Sequence, residues 1–260
     1  MNRDPRLREL GAFLRARRGE VAPAAEPGGP GEGRRQVAGL RREEVAALVH
    51  VTPEYYTRIE QGRMAPARDL VRRLAVAFGL DDGQLRYALA LLDEADGVSP
   101  PESPAVEGAL WRLLSRLIDV PAIVIGPGTS MVWWNSAAAE WFLDFARIPE
   151  AERTFVRMMF AEPEFEDRFC DPASMRETVV GILRSGAPSV LSAGGEMALP
   201  PDLLGIPDFR AIWERHDVTQ PRGSIEVGIR HPARGDLCVD LIALSVADDP
   251  THRVLFFCDR

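Results

Sequence analysis

The stretch GLRREEVAALVHVTPEYYTRIEQGR, residues 39–63, decides the fold of the first part of this 260-residue chain. Apolar residues recur in it at helical spacing in two successive stripes: Leu40, Val45 and Val49, then Tyr56 and Ile59. Val51, Thr52 and Pro53 lie between the stripes. The spacing predicts two short helices joined by a tight turn, which is a helix-turn-helix.

The residues around the predicted turn have the chemistry that this motif requires. Thr52 is a favourable N-cap, Pro53 fits the first helical position, and Gly62 can end the second helix in a left-handed conformation. His50 stands where such turns usually have glycine, and histidine tolerates positive φ better than most residues. Ala46 is small enough for the two helices to cross closely. We therefore prefer a helix-turn-helix to an ordinary helical hairpin.

Helical patterns continue on both sides of the motif. Leucines at helical spacing predict a helix over residues 5–18, and a Pro/Gly loop follows over 19–33. Pro66 can open a fourth helix, while Asp81 and Gln84 form a capping box for a fifth over 82–92. The sequence thus predicts an all-α five-helix domain over residues 1–95. The segment DGVSPPESP, residues 96–104, has the composition of a linker.

The charge distribution differs between the two halves of the chain. The net charge is −8, but residues 1–95 have 16 arginines against 14 acids, whereas residues 96–260 have 15 against 25. Residues 34–73 are locally positive, with nine arginines against five acids. Any electrostatic attraction to DNA is therefore expected in the first domain alone.

Two groups of residues are candidates for DNA contacts. In a helix-turn-helix the second helix enters the major groove with its N-terminal residues near the bases. The residues at this end are Thr52, Pro53, Glu54 and Tyr55, followed one turn later by Arg58. Arg58 can contact guanine and Glu54 can accept from cytosine. Arg42, Arg34 and Arg35 are candidates for phosphate contacts. For each candidate the alternative is a solvated surface charge.

The second half, residues 105–260, alternates between helical and strand patterns. Helices are predicted over 106–119, 136–145, 153–160, 174–184 and 209–218, with Ser174 and Glu177 as a capping box; residues 185–205 resemble a loop. A hairpin is predicted from AIVIG (122–126) and MVWWN (131–135), and three strands from SIEVGIRHP, LCVDLIALSVA and VLFFCD near the end. This order predicts an α+β domain with one antiparallel sheet.

Aromatic and polar residues in this half could form an apolar pocket with a few polar groups. The candidates for ligand contacts are Trp133, Trp134, Asn135, Arg168, Trp213, His216 and His231. Only one of the two adjacent tryptophans can point inward from a regular strand. The alternative for each aromatic residue is a place in the core, and for each histidine a cap or a loop hydrogen bond.

Several classes of protein lack support in the sequence. The three cysteines are far apart and have no zinc-site or disulfide spacing, so no metal is expected. No catalytic or nucleotide-binding motif is present, so we expect neither an enzyme nor a cofactor. No segment has the length and apolarity of a membrane span or a signal peptide. We therefore expect a cytoplasmic protein that does not contact a membrane.

Motifs in both halves resemble known families. GLRREEVAALVHVTPEYYTRIEQGR, with the preceding GRR at 33–35, resembles the Cro/repressor-type helix-turn-helix. The second half resembles the ligand-binding domain of MmyB-like transcription regulators in WWNSAAAEWF (133–142), FAEP (160–163), FRAIWERHDV (209–218), IRHP (229–232) and the DDP before the last strand. The chain departs from that family at Asp171–Pro172, where an Asp-Trp pair is common, at Thr154, where Asn is common, and over 187–206.

The resemblance implies a DNA-binding transcription regulator of a kind often found in actinobacteria. We expect it to bind double-stranded DNA as a homodimer, because one recognition helix offers few base contacts. The resemblance also implies a PAS-like second domain with a pocket for a fatty acid or a related small apolar acid or lactone. A second hypothesis keeps the DNA-binding domain but makes the second domain a solid-core dimerisation or protein-interaction module. The volume of a cavity among the aromatic residues discriminates between the two.

Overall fold

The computed structural model describes residues 4–22, 39–92, 112–186, 201–220, 223–246 and 249–260. They form two compact units, the first within residues 1–95. Residues 93–111 lie outside the described residues, so the predicted linker at 96–104 and the domain boundaries stay predictions. The observed order is an all-α unit followed by an α+β unit with an antiparallel sheet, which confirms the predicted fold class.

The first unit contains five described helices: α1 (Pro5–Glu20), α2 (Arg42–Leu48), α3 (Pro53–Glu60), α4 (Arg68–Phe78) and α5 (Asp82–Ala90). Their core includes the predicted apolar stripes, with Val45, Tyr56 and Ile59 each at most 1% exposed. Helix α4 begins at Arg68 rather than at Pro66, because Ala67 is its N-cap. The capping box of Asp81 and Gln84 at α5 is confirmed.

The turn between α2 and α3 has the predicted geometry. His50 and Gly62 both adopt positive φ, at 55° and 62°. The Thr52 hydroxyl accepts a hydrogen bond from the Tyr55 amide at 3.2 Å. Gly11 lets α1 approach α3 closely, since a Cβ there would lie 2.5 Å from the Glu60 carbonyl oxygen. These contacts fix α3 against the rest of the unit.

The second unit is a five-stranded antiparallel sheet with helices packed on one face. The strands are β1 (Ala122–Ile125), β2 (Met131–Trp134), β3 (Ser224–His231), β4 (Gly235–Val246) and β5 (Asp249–Asp259), in the order β2-β1-β5-β4-β3. The helices are α6 (Ser136–Trp141), α7 (Phe155–Ala161), α8 (Pro163–Glu166), α9 (Pro172–Ser185), α10 (Pro201–Gly205) and α11 (Pro207–Glu214). We call the face of the sheet that packs against these helices the core face.

Three predictions about the helices of this unit were wrong. Helix α9 begins at Pro172, and the side chain that caps it is Asp171, which accepts from the Ser174 amide at 3.0 Å. The predicted capping box of Ser174 and Glu177 is absent, because a proline at the first turn and an acid before it start the helix earlier. Helix α6 ends at Trp141 rather than at residue 145. Part of the predicted loop at 185–205 is helix α10.

The helix predicted over 106–119 is described only from residue 112, and residues 112–114 are helical. Leu114 packs on the face of the sheet opposite the core face, in a small cluster with Ala122, Val124 and Val254. No helix in the described part of the chain is long and apolar enough to cross a membrane.

Candidate functional site

The outer surface of α3 presents the residues that the sequence analysis assigns to base contacts. Thr52, Glu54 and Arg58 are exposed, while Pro53 and Tyr55 are half-buried. The Arg58 guanidinium has neither an ion pair nor a hydrogen bond with any described residue. Its donors are therefore available to an external acceptor, and a guanidinium offers the two parallel N–H groups that match guanine O6 and N7.

Helix α3 is held in place by a buried ion cluster that the sequence analysis did not predict. The Glu60 carboxylate, whose side chain is 0% exposed, accepts from Arg18 Nε at 2.6 Å and from Arg42 Nε at 2.6 Å. Arg18 also donates to the Leu40 carbonyl at 2.6 Å. The cluster ties the end of α3 to α1 and to the start of α2.

The pKa values in this cluster reflect its burial and its charges. Burial alone would raise the pKa of the Glu60 carboxyl, but the hydrogen bonds and charges of Arg18 and Arg42 outweigh burial and hold that pKa below its usual value. Burial raises the pKa of the neighbouring Tyr56 hydroxyl, and the Glu60 charge raises it further. Both groups therefore keep one protonation state at neutral pH.

The structure refines the predicted phosphate contacts. Arg42 uses its Nε to bind Glu60 and remains 38% exposed, so it contributes to the fold as well as to the surface. Because Glu60 accepts from Nε, the terminal Nη groups of Arg42 can donate to a second acceptor. Arg34 and Arg35 lie outside the described residues.

In the second unit, the two adjacent tryptophans point to opposite faces of the sheet. Trp134 packs on the core face, where its ring meets Phe145 edge-on at 5.5 Å and the Arg153 guanidinium lies 4.9 Å from its centroid. Trp133 packs with the cluster on the opposite face. Each tryptophan is thus held by neighbouring side chains.

Asn135 is a structural residue in the observed fold. Its carboxamide oxygen accepts from the amides of Ala122 and Ala138, each at 3.0 Å. Its amide nitrogen donates to the carbonyls of Leu117 and Val120. All four hydrogen bonds that a carboxamide readily forms are therefore used within the protein.

Arg168 and His231 also have partners within the protein. Arg168 Nε donates to the Phe142 carbonyl at 3.0 Å. His231 is 7% exposed, and its Nδ1 accepts from the amides of Ala233 and Arg234, which closes the turn between β3 and β4. This is the loop hydrogen bond that stood as the alternative for His231.

Trp213 and His216 surround a buried arginine. Arg184 is 0% exposed, lies 3.7 Å from the Trp213 ring centroid and donates to the Trp213 carbonyl at 2.5 Å. The His216 Nδ1 is 3.1 Å from Arg184 Nη1, and His216 has a φ of 56° just after α11. Trp213 stacks on Phe209 with ring centroids 5.8 Å apart.

The described residues enclose an apolar cavity elsewhere in this unit, between the core face and α9. Its volume is about 30 Å³, and its lining consists of Ile125, Thr129, Phe155, Met175, Thr178, Val179, Ile182, Ile225, Leu241, Ala243, Arg253 and Leu255. None of the seven predicted ligand residues is in this lining. Their place in a ligand pocket stays a prediction; in the described residues their rings and polar atoms contact the core and the turns.

Arg253 is the charged residue of this lining, and the sequence analysis missed it. It lies on β5 opposite Ile125 of β1 and Ser245 of β4. Its position two residues before Leu255 places it on the core face, since side chains alternate along a strand. The signal available in the sequence was an arginine in phase with the apolar residues of VLFF.

Comparisons with known families agree with the two units. A model described as a helix-turn-helix domain matches residues 9–89, and the model of the MmyB-like transcription regulator ligand binding domain matches residues 106–259. A search of curated proteins gave no match. The fold and both families define a DNA-binding transcription regulator with a ligand-binding domain. The chain belongs to the MmyB-like transcription regulators.

Proposed function

We propose that the protein is a cytoplasmic homodimer that binds a specific DNA sequence and changes its DNA affinity when a fatty acid, or a related apolar acid or lactone, occupies the second unit. The observation that carries this proposal is the apolar cavity with a single charged residue between the core face and α9. Such a lining fits a ligand with a long apolar part and one polar end.

The cavity must widen before it can hold a ligand of this size. A volume of about 30 Å³ holds roughly two water molecules. A fatty acid therefore requires the lining side chains to move apart. Met175 and Ile182 on α9 are suitable for such a movement, since methionine is unbranched and flexible and Ile182 is half-buried.

A second candidate function is favoured by the packing of the aromatic residues. Phe142, Phe165 and Phe169 are 0% exposed and interlock, with ring centroids 5.4–5.7 Å apart. A solid core of this kind suits a dimerisation or protein-interaction module.

Native mass spectrometry of the gently purified full chain distinguishes the two functions. A retained small molecule supports the ligand-binding function, and the mass of the protein alone after incubation with decanoate supports the module.

Arg58→Ala is expected to weaken binding to the cognate DNA site by about 1–3 kcal/mol and to relax the preference at one base pair. The reason is the loss of two parallel hydrogen bonds to a guanine edge. The measurement is a binding selection from random DNA, repeated with Arg15→Ala, which removes an exposed arginine on α1. Equal weakening on all sequences would instead make Arg58 a phosphate contact.

The cognate site is expected to have two half-sites related by two-fold symmetry and centred about one helical turn, or roughly 10 base pairs, apart. A single α3 offers few base contacts, so a dimer is needed for specificity. Hydroxyl-radical footprinting of the full chain on the selected DNA measures this spacing. Protection of one asymmetric half-site would exclude the dimer.

A further inference from the structure

We propose that Arg253 determines which ligands the cavity accepts, by binding an anionic head group attached to an apolar tail. This inference rests on the proposed function, because it takes the cavity as the ligand site. If Arg253 has this role, a carboxylate binds well, whereas a neutral lactone or alcohol binds poorly.

Arg253 lies on the core face of the sheet. Leu255 and Phe257 follow it at alternate positions of β5, and both are packed in the core cluster. Its cross-strand neighbour Ile125 belongs to the same cluster. Arg253 therefore extends from the strand on a face that is otherwise apolar, and it is half-buried there.

No described residue supplies an acceptor to the Arg253 guanidinium. Other half-buried arginines of this unit have partners: Arg153 donates to two backbone carbonyls, and Arg176 forms ion pairs with Glu166 and Asp208. The Arg253 guanidinium has no hydrogen bond and no ion pair with any described residue. Partial removal of a charge from water without a partner is unfavourable, so an anion from solution would supply the acceptor that no described residue provides.

The exposure of the lining residues differs between the two ends of the cavity. Arg253 and Ala243, its diagonal neighbour on the adjacent strand β4, are half-buried lining residues, whereas Phe155 and Val179 are at most 4% exposed. A head group at Arg253 therefore stays near water while its tail points to the buried side. This orientation suits an amphiphile with one charged end.

The guanidinium group sets the chemical class of the head group. Arginine offers two parallel N–H donors that match the two oxygens of a carboxylate, and it stays charged at neutral pH. A lactone carbonyl or an alcohol can use only one of these donors and brings no charge. The expected order of affinity is carboxylate first, then lactone, then alcohol.

The test uses the full chain and two probes with the same ten-carbon tail, decanoate and 1-decanol, at pH 7.5 and below their aggregation limits. Binding is measured by isothermal titration calorimetry. The variants are Arg253→Gln, Arg253→Lys, and Arg116→Gln as a matched control that removes an exposed arginine of the same unit. Circular dichroism and tryptophan fluorescence check that each variant is folded.

Wild type and Arg116→Gln are expected to bind decanoate more tightly than decanol. Arg253→Gln should bind decanoate about ten- to a hundredfold more weakly, the range for losing a hydrogen bond to a charged group, and should bind decanol as wild type does. Arg253→Lys should retain part of the preference for decanoate because it keeps the charge.

Other results would contradict either the role of Arg253 alone or the ligand-binding function as well. If Arg253→Gln binds decanoate as wild type does, or if folded wild type binds both probes equally, the role of Arg253 is wrong while the ligand-binding function stands. If wild type binds neither probe, the cavity is not the site for such ligands, and both proposals fail together.

Discussion

Glu60→Ala is expected to destabilise the first unit by about 3–5 kcal/mol, the usual cost of removing one partner from a buried ion pair. The Arg18 guanidinium, whose side chain is 11% exposed, would be left without the carboxylate that now neutralises it. A domain with about 5–15 kcal/mol of stability would lose much of it. Since Glu60 anchors the end of α3, DNA binding should be lost with the fold.

The distribution of aromatic residues makes this prediction measurable in the full chain. All five tryptophans lie after residue 105 and all three tyrosines before residue 95. Urea unfolding of the first unit should therefore appear in far-UV circular dichroism without a change in tryptophan fluorescence. Glu54→Ala, an exposed acid of the same helix, is the control and should cost less than about 0.5 kcal/mol. Equal losses for the two variants would contradict the role of Glu60.

The same cluster makes the stability of the first unit depend on pH. The folded-state pKa of Glu60 lies below the usual value of 4.5, so its stabilisation is present above that value and is lost as the pH falls through the lower, folded-state pKa. Glu60→Gln should remove this part of the acid sensitivity. Unfolding curves at a series of pH values between about 6 and 3 test it.

Phe142→Ala is expected to destabilise the second unit by about 3–5 kcal/mol. Phe142 is 0% exposed and its ring contacts those of Phe165, Phe169 and Phe257, with centroids 4.8–5.7 Å away. The substitution leaves a void that these rings cannot easily fill. Urea unfolding followed by tryptophan fluorescence measures the loss, because the tryptophans report on this unit.

Leu244→Ala is the control for this substitution. Leu244 is 54% exposed on β4, so its truncation should change the stability by less than about 0.5 kcal/mol. If Phe142→Ala cost no more than Leu244→Ala, the aromatic cluster would be loosely packed, and the ligand space would lie there rather than between the core face and α9.

The helix-turn-helix could be predicted in detail from the sequence because its determinants are local. The N-cap Thr52, the positive φ of His50 and the stop at Gly62 each depend on neighbours within a few residues. The ion cluster could not be predicted in the same way. Arg18 and Glu60 are 42 residues apart in the chain, and both resemble ordinary helix-surface charges.

The ligand cavity was harder to predict for a related reason. Large aromatic residues such as Trp134 and Trp213 are natural candidates for a ligand pocket. In the structure, however, their rings pack against the core and lie over arginine side chains. The cavity is instead lined mainly by aliphatic side chains from four strands and α9, which no sequence pattern distinguishes from other core residues. The strand register is needed to place Arg253 in this lining.

Coupling between the two units requires that the ligand bind differently to the DNA-bound and free states of the protein. The most direct measurement is the affinity of the full chain for its selected DNA site, by fluorescence anisotropy at fixed salt, with and without saturating decanoate. Saturation is verified by calorimetry. We expect at least about a fivefold change in the dissociation constant for wild type, and no change for Arg253→Gln at the same decanoate concentration. Saturable decanoate binding that leaves the DNA affinity of wild type unchanged would contradict this coupling.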